Sequence, residues 1–153
     1  MAGKQLKTCP NKWMWKDKEF SLTYEDILEQ KLFGFIYLIG ELETGKKYIG
    51  EKGFHSFRTP TGKVNKKKQE SNWAKYPSSN KVLQLHIRKA ELERNEKFKF
   101  TILALCKDKP SMKLEEIYWM MHYKALMRED FLNDNLKCNI LCTLKDYDTR
   151  VLH

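Results

Sequence analysis

The chain has 153 residues, 41% of them hydrophobic and 12% aromatic, and 29 lysines and arginines against 20 acidic residues set its formal charge at +9. These proportions describe one folded domain and exclude a disordered chain, and no run of about twenty apolar residues exists to span a membrane. The excess of cations favours a polyanionic partner, because neutralising phosphates releases condensed counterions. A lysine-rich face that merely keeps the chain soluble is the plain alternative. Met1 to Lys18 is lysine-rich and lacks an apolar signal core, which points to a cytoplasmic protein. Cys9, Cys106, Cys138 and Cys142 are scattered and fit reduced thiols, since no second close cysteine or histidine pair completes a zinc signature around Cys138 and Cys142.

In chain order, Trp13, Met14 and Trp15 follow Pro10 among lysines without a clear period, and read as an arm that packs back or contacts a partner. Tyr24 to Lys31 reads as a short amphipathic helix with Ile27 and Leu28 as its apolar contacts. Phe35, Ile36, Leu38 and Ile39 form a β-rich run around Tyr37, and Lys47-Tyr48-Ile49-Gly50 forms a shorter strand. The turn Glu43-Thr44-Gly45-Lys46 joins them as a hairpin. Such a hairpin can bring the hydroxyls of Tyr37 and Tyr48 to one end of a small sheet. Residues 51–77 are polar, with Lys63, Lys66, Lys67 and Lys68 nearly consecutive. That length and charge suit either a functional loop or a solvated insertion.

Ser79 reads as the N-cap of a helix running to about Asn95, with Leu83, Ile87 and Ala90 at helical spacing. Lys97 to Leu105 reads as a strand in which Phe98, Phe100, Ile102 and Ala104 alternate with other residues. Pro110-Ser111 opens a second long helix, whose Leu114, Ile117, Tyr118, Met121 and Ala125 form the stripe expected in the core. Glu115 and Glu116 lie in its first turns, where the helix dipole favours carboxylates. The whole pattern is α+β, a central three-stranded, mainly antiparallel sheet flanked by helices.

Phe35-Ile36-Tyr37 and Tyr48-Ile49-Gly50 resemble the two motifs that define the GIY-YIG nuclease family, with Phe35 in the place of the first glycine and Gly34 beside it. Arg58 lies ten residues after Tyr48, at the offset where phage homing endonucleases of that family carry an arginine. Glu70-Ser71-Asn72-Trp73-Ala74-Lys75-Tyr76-Pro77-Ser78-Ser79 is similar to a tryptophan-tyrosine-serine segment of phage-encoded members. The resemblance covers roughly residues 33 to 140. It implies a nuclease domain at 33–140 with a basic insertion at 51–77, preceded by an arm and short helix at 1–32 and followed by a tail at 141–153.

The same resemblance implies roles. Tyr37 is the base or water-orienting group, Tyr48 orients water or phosphate, and Arg58 binds phosphate through paired donors. Arg88 and His86 are alternatives to Arg58, because the family places its arginine on a helix. Glu116 holds the metal, Mg2+ or Mn2+, since one carboxylate suffices for a hard divalent ion that keeps several waters. Glu115 points about 100° away around the helix and cannot substitute directly. Asn133 braces the site, with Asn135 and Asn139 behind it. A tyrosine at its ordinary pKa of about 10 needs a nearby cation to act as a base, and Arg58, Lys47 or Lys52 can provide one. Lys52, Lys63, Lys66, Lys67, Lys68 and Arg88 are the candidate phosphate contacts, and Trp13, Trp15, Trp73 or Tyr76 can wedge or stack. The expected activity is metal-dependent hydrolysis of DNA in phage homing or phage conflict. The expected protein is a monomer or transient dimer with no membrane partner. An inactive nucleic-acid-binding module and a basic protein-interaction domain are the other readings.

Overall fold

A computed structural model of the chain describes residues 10–58, 64–136 and 146–153, with the backbone alone at 58 and 64–67. The elements run β1 (Trp13–Trp15), β2 (Lys18–Glu19), α1 (Tyr24–Glu29), β3 (Gly34–Glu41), β4 (Lys47–Gly53), β5 (His55–Arg58) and β6 (Val64–Glu70). They continue with α2 (Lys81–Ala90), α3 (Arg94–Lys97), β7 (Phe98–Cys106), α4 (Lys109–His122) and β8 (Val151–Leu152). The expected antiparallel centre is β7-β3-β4. It is widened by β1, which runs parallel to β7, by β2 beyond β1, and by β8 on β7. The tryptophan arm therefore packs back as a sheet strand. β5 and β6 form a separate antiparallel ribbon, so the polar stretch after the hairpin carries regular structure. No helix among the described residues is long and apolar enough to cross a membrane.

Two apolar layers clamp the sheet. Phe35, Tyr37 and Ile39 of β3 pack with Trp13, Phe54, Trp73, Leu83, Ile87 and Phe100 on one face. Ile36, Ile49, Ala104, Met112, Met120 and Phe131 fill the other. The alternation that makes a strand two-faced thus assigns successive β3 residues to different cores. A register shift between Ile36 and Tyr37 skips Leu103 in the pairing with β7. That bulge turns the strand over, so Ala104 lies in the layer opposite Phe98, Phe100 and Ile102, against the simple alternation expected from sequence.

Other expectations shift for local reasons. Asn80 rather than Ser79 caps α2, accepting from the Leu83 N–H at 3.0 Å, and the helix stops at Ala90 before a 3-10 turn and α3. Leu28 is exposed, and α1 is anchored by buried Ile27 and by Tyr24, which packs on the core and shares a hydrogen bond of 2.7 Å with His55 Nδ1. On α4 the buried positions are Ser111, Met112, Glu115 and Met120, while Tyr118 and Met121 face solvent. Buried Arg94 donates to Asn11 Oδ1 at 2.9 Å, and Asn11 Nδ2 donates to the Tyr76 carbonyl at 2.7 Å. This chain of bonds ties the arm, α3 and the segment before α2 together.

Candidate active site

β3 and β4 pair with Tyr37 opposite Gly50 and Ile39 opposite Tyr48. The two tyrosines are diagonal neighbours on one face, with rings 6.3 Å apart. Gly50 makes that approach possible. A Cβ there would come within 2.5 Å of the Tyr37 Cζ, so the Tyr37 ring occupies the space that any other side chain would need. Gly34 does the same on the other face, where a Cβ would meet Met112 Sδ at 2.5 Å and the Lys52 carbonyl at 2.7 Å. It lets α4 sit close to the hairpin.

Both phenols end at the turn preceding α2. The Tyr48 hydroxyl and Ser79 Oγ share a hydrogen bond of 3.0 Å, and the Ser79 main-chain N–H donates to the Tyr37 hydroxyl at 3.4 Å. A third phenol stands beside them, with the Tyr76 ring 6.0 Å from that of Tyr37. Tyr37 is 0% exposed, Tyr48 half-buried and Ser79 exposed. The member of the pair open to water is therefore Tyr48, and Tyr37 stands behind it. Burial pushes all three phenols above the ordinary tyrosine range, and the Ser79 bonds oppose that rise. The charges of Glu116, Asp134 and Glu51 raise Tyr48 further. Lys52 Nζ sits 4.1 Å over the Tyr76 ring, and burial lowers its pKa.

The opposite face of β4 supplies carboxylates. Glu51 follows Ile49 by two positions and so shares the α4 side of the sheet. It is ion-paired with Lys113 of α4, and its Oε2 is buried without a hydrogen-bond partner. Glu116, half-buried on the same helix, has its carboxyl pushed up to about 7 by burial, with the Glu51 charge adding and Lys113 opposing. Two carboxylates and one ammonium leave net negative charge in a half-buried place, together with an orphaned carboxylate oxygen. That donor set fits a hard divalent cation. No three His, Cys, Asp or Glu side chains among the described residues converge to hold a metal. Glu115, as its position around the helix implies, turns elsewhere. It is 3% exposed and bonds to the Tyr147 hydroxyl and His153, holding the C-terminal strand against α4.

Asn133 reaches the outer edge of β4, just beyond the bridge between Lys47 and Phe131. Its Oδ1 accepts from the Ile49 N–H at 3.0 Å and its Nδ2 donates to the Ile49 carbonyl at 2.8 Å, mimicking a neighbouring strand between Tyr48 and Gly50. Asn133→Ala removes both bonds and is expected to cost about 2 kcal/mol. Urea unfolding of the two proteins checks this, and an unchanged midpoint would refute the bracing role.

The remaining expected residues are spread out. Arg58 stands on strand β5 opposite Val64, not on a helix. Its side chain and those of Lys66 and Lys67 lie outside the described residues, as do Lys63 and Asn139 entirely. Lys68 is exposed on β6. Arg88 is exposed in the last turn of α2, roughly 13 Å along the helix from Ser79. His86 pairs with Glu41 at 2.9 Å, and Lys47 pairs with Asp130 at 3.1 Å. Sequence reasoning passed over Glu51 and Ser79 as site residues and gave Tyr76 only a stacking role. The usable signal for Glu51 was its period-two relation to Ile49 in a strand continuing past the second motif.

The family model described as "Putative endonuclease segE, GIY-YIG domain" matches residues 13–136. The chain belongs to the GIY-YIG endonuclease family, and its matched segment, from β1 to just past Asn133, is a nuclease domain. No curated protein and no solved structure matches it.

Proposed function

We propose that the protein is a divalent-metal-dependent DNA endonuclease that hydrolyses phosphodiester bonds. The observation that carries this reading is that the half-exposed Tyr48 lies within the field of two carboxylates on the other face of β4, Glu116 and Glu51, whose charges act on it. Glu116 would hold the cation, with Glu51 beside it. A divalent ion such as Mg2+ or Mn2+ held there would supply positive charge for the phosphoryl transfer and would offset the negative field that raises Tyr48. Tyr48, as phenolate, takes a proton from the attacking water. The water oxygen bonds to phosphorus as the bond to the leaving oxygen breaks. Tyr37 holds the other side of the hydrogen-bonded group, and Asn133 fixes the strand that carries Tyr48. Lys52 and the lysine-rich sequence of β6 would supply phosphate contacts to the polyanion.

A net charge of +9 supports DNA as the substrate, and the likeness of residues 70–79 to phage-encoded members supports a role in phage homing or phage conflict. The setting would then be the host cytoplasm. The test is supercoiled plasmid incubated with the purified protein in Mg2+ and in EDTA, alongside salt-dependent binding to duplex DNA. Nicked or linear product in Mg2+ alone is expected. Salt-sensitive binding without cleavage in any divalent ion would make the protein a binding module instead.

A further inference from the structure

Ser79 is the exposed member of a polar group in which Tyr37 is fully buried and Tyr48 and Tyr76 are half-buried. It hydrogen-bonds both motif tyrosines through different atoms, its main-chain N–H on Tyr37 and its Oγ on Tyr48. The Tyr76 ring packs against Tyr37 on the same side. The turn that presents it is over-determined. Ser78 is fully buried at φ 84°, a left-handed conformation that few serines adopt, and its Oγ accepts from the Asn80 N–H at 3.1 Å. Its carbonyl accepts from Gln84 Nε2 at 3.3 Å. Asn80, not Ser79, caps the helix, so the Ser79 hydroxyl is left for Tyr48.

We infer that Ser79 is a positioning residue for catalysis, whose hydroxyl donates to the Tyr48 oxygen and holds it as the proton acceptor. In the neutral pair either hydroxyl can be the donor. Once Tyr48 has lost its proton its oxygen can only accept, so Ser79 must donate, and the bond becomes charge-assisted and stronger. Selective strengthening of the bond to the charged form lowers the pKa of the group that receives it. The main-chain bond to Tyr37 meanwhile keeps the buried ring in register with the exposed one. This inference rests on the assignment of Tyr48 as base.

Ser79→Ala keeps the main-chain N–H and removes only the hydroxyl, and Ser79→Thr restores a hydroxyl. The experiment measures kcat and KM against pH on plasmid DNA for the parent and both variants. In the absence of DNA it also follows ultraviolet phenolate titration, with Tyr48→Phe identifying the Tyr48 component. Ser79→Ala is expected to lower kcat at neutral pH about tenfold with KM unchanged and to move the ascending limb about one pH unit upward. The Tyr48 titration should move the same way, and Ser79→Thr should recover both. A Ser79→Ala profile that superimposes on the parent, or a change confined to KM, overturns the inference. If the parent does not cleave DNA at all, the titration still decides. A shifted Tyr48 keeps the Ser79–Tyr48 device while the nuclease reading falls, and an unshifted one removes both.

Discussion

Glu116→Gln is expected to abolish cleavage, by about a thousandfold or more, and yet to make the metal-free protein more stable at pH 8. The carboxyl lies at about 7 in the fold against an ordinary 4.5, because burial and then Glu51 disfavour its charge. A raised acid pKa means that the folded state holds the proton more tightly than the unfolded chain. The stabilisation is fully present below pH 4.5 and is lost as pH rises through 7. Glutamine carries no proton to lose, so the variant escapes that loss. Allowing for partial solvent screening, it should exceed the parent by about 1–2 kcal/mol at pH 8, with the difference closing below about pH 4.5. Urea unfolding at the two pH values measures this directly. Mn2+ should raise the stability of the parent and not of the variant. Equal stability at pH 8 would mean that Glu116 is better solvated than its setting between Glu51 and the α4–β4 contact implies.

Gly50→Ala carries the second large effect, and it acts through packing. The added methyl would fall on the Tyr37 hydroxyl and its Cζ at the centre of the first apolar layer. Overpacking of that kind costs about 2–3 kcal/mol, and here the ring that must move is one of the two that meet at Ser79. Activity should therefore fall with stability. Removing the hydroxyl relieves part of the clash, so in a Tyr37→Phe background the same substitution should cost about 1 kcal/mol less. A double-mutant cycle by chemical unfolding reads that coupling. Strictly additive costs would show that the glycine serves the strand and not the tyrosine.

The hairpin was legible because its determinants are local: an apolar β-rich run, a polar turn and a glycine framing each motif. Its register then follows, and with it the shared face of Tyr37 and Tyr48. The two long helices and β7 were legible from period alone, but not which face of α4 is buried. Glu115 enters the core because Tyr147 and His153, more than thirty residues later, supply its partners. The bulge opposite Tyr37 was hidden for a similar reason, since it arises where two strands from distant parts of the chain meet. Ser79 and Asn80 are both good caps by composition. Tyr48 decides between them by occupying the Ser79 hydroxyl, which leaves Asn80 to cap the helix. Glu51 read as the first residue of a loop, and only the continuation of β4 to Gly53 turns it toward Glu116.

Cleavage of supercoiled plasmid by the parent and Glu116→Gln, side by side in Mg2+ and with DNA binding measured on the same samples, tests the proposed chemistry most directly. Nicked or linear DNA from the parent alone, with binding equal in the two, is the predicted result. Equal cleavage by both proteins would contradict the assignment of the metal to Glu116, and cleavage by neither would contradict the nuclease itself.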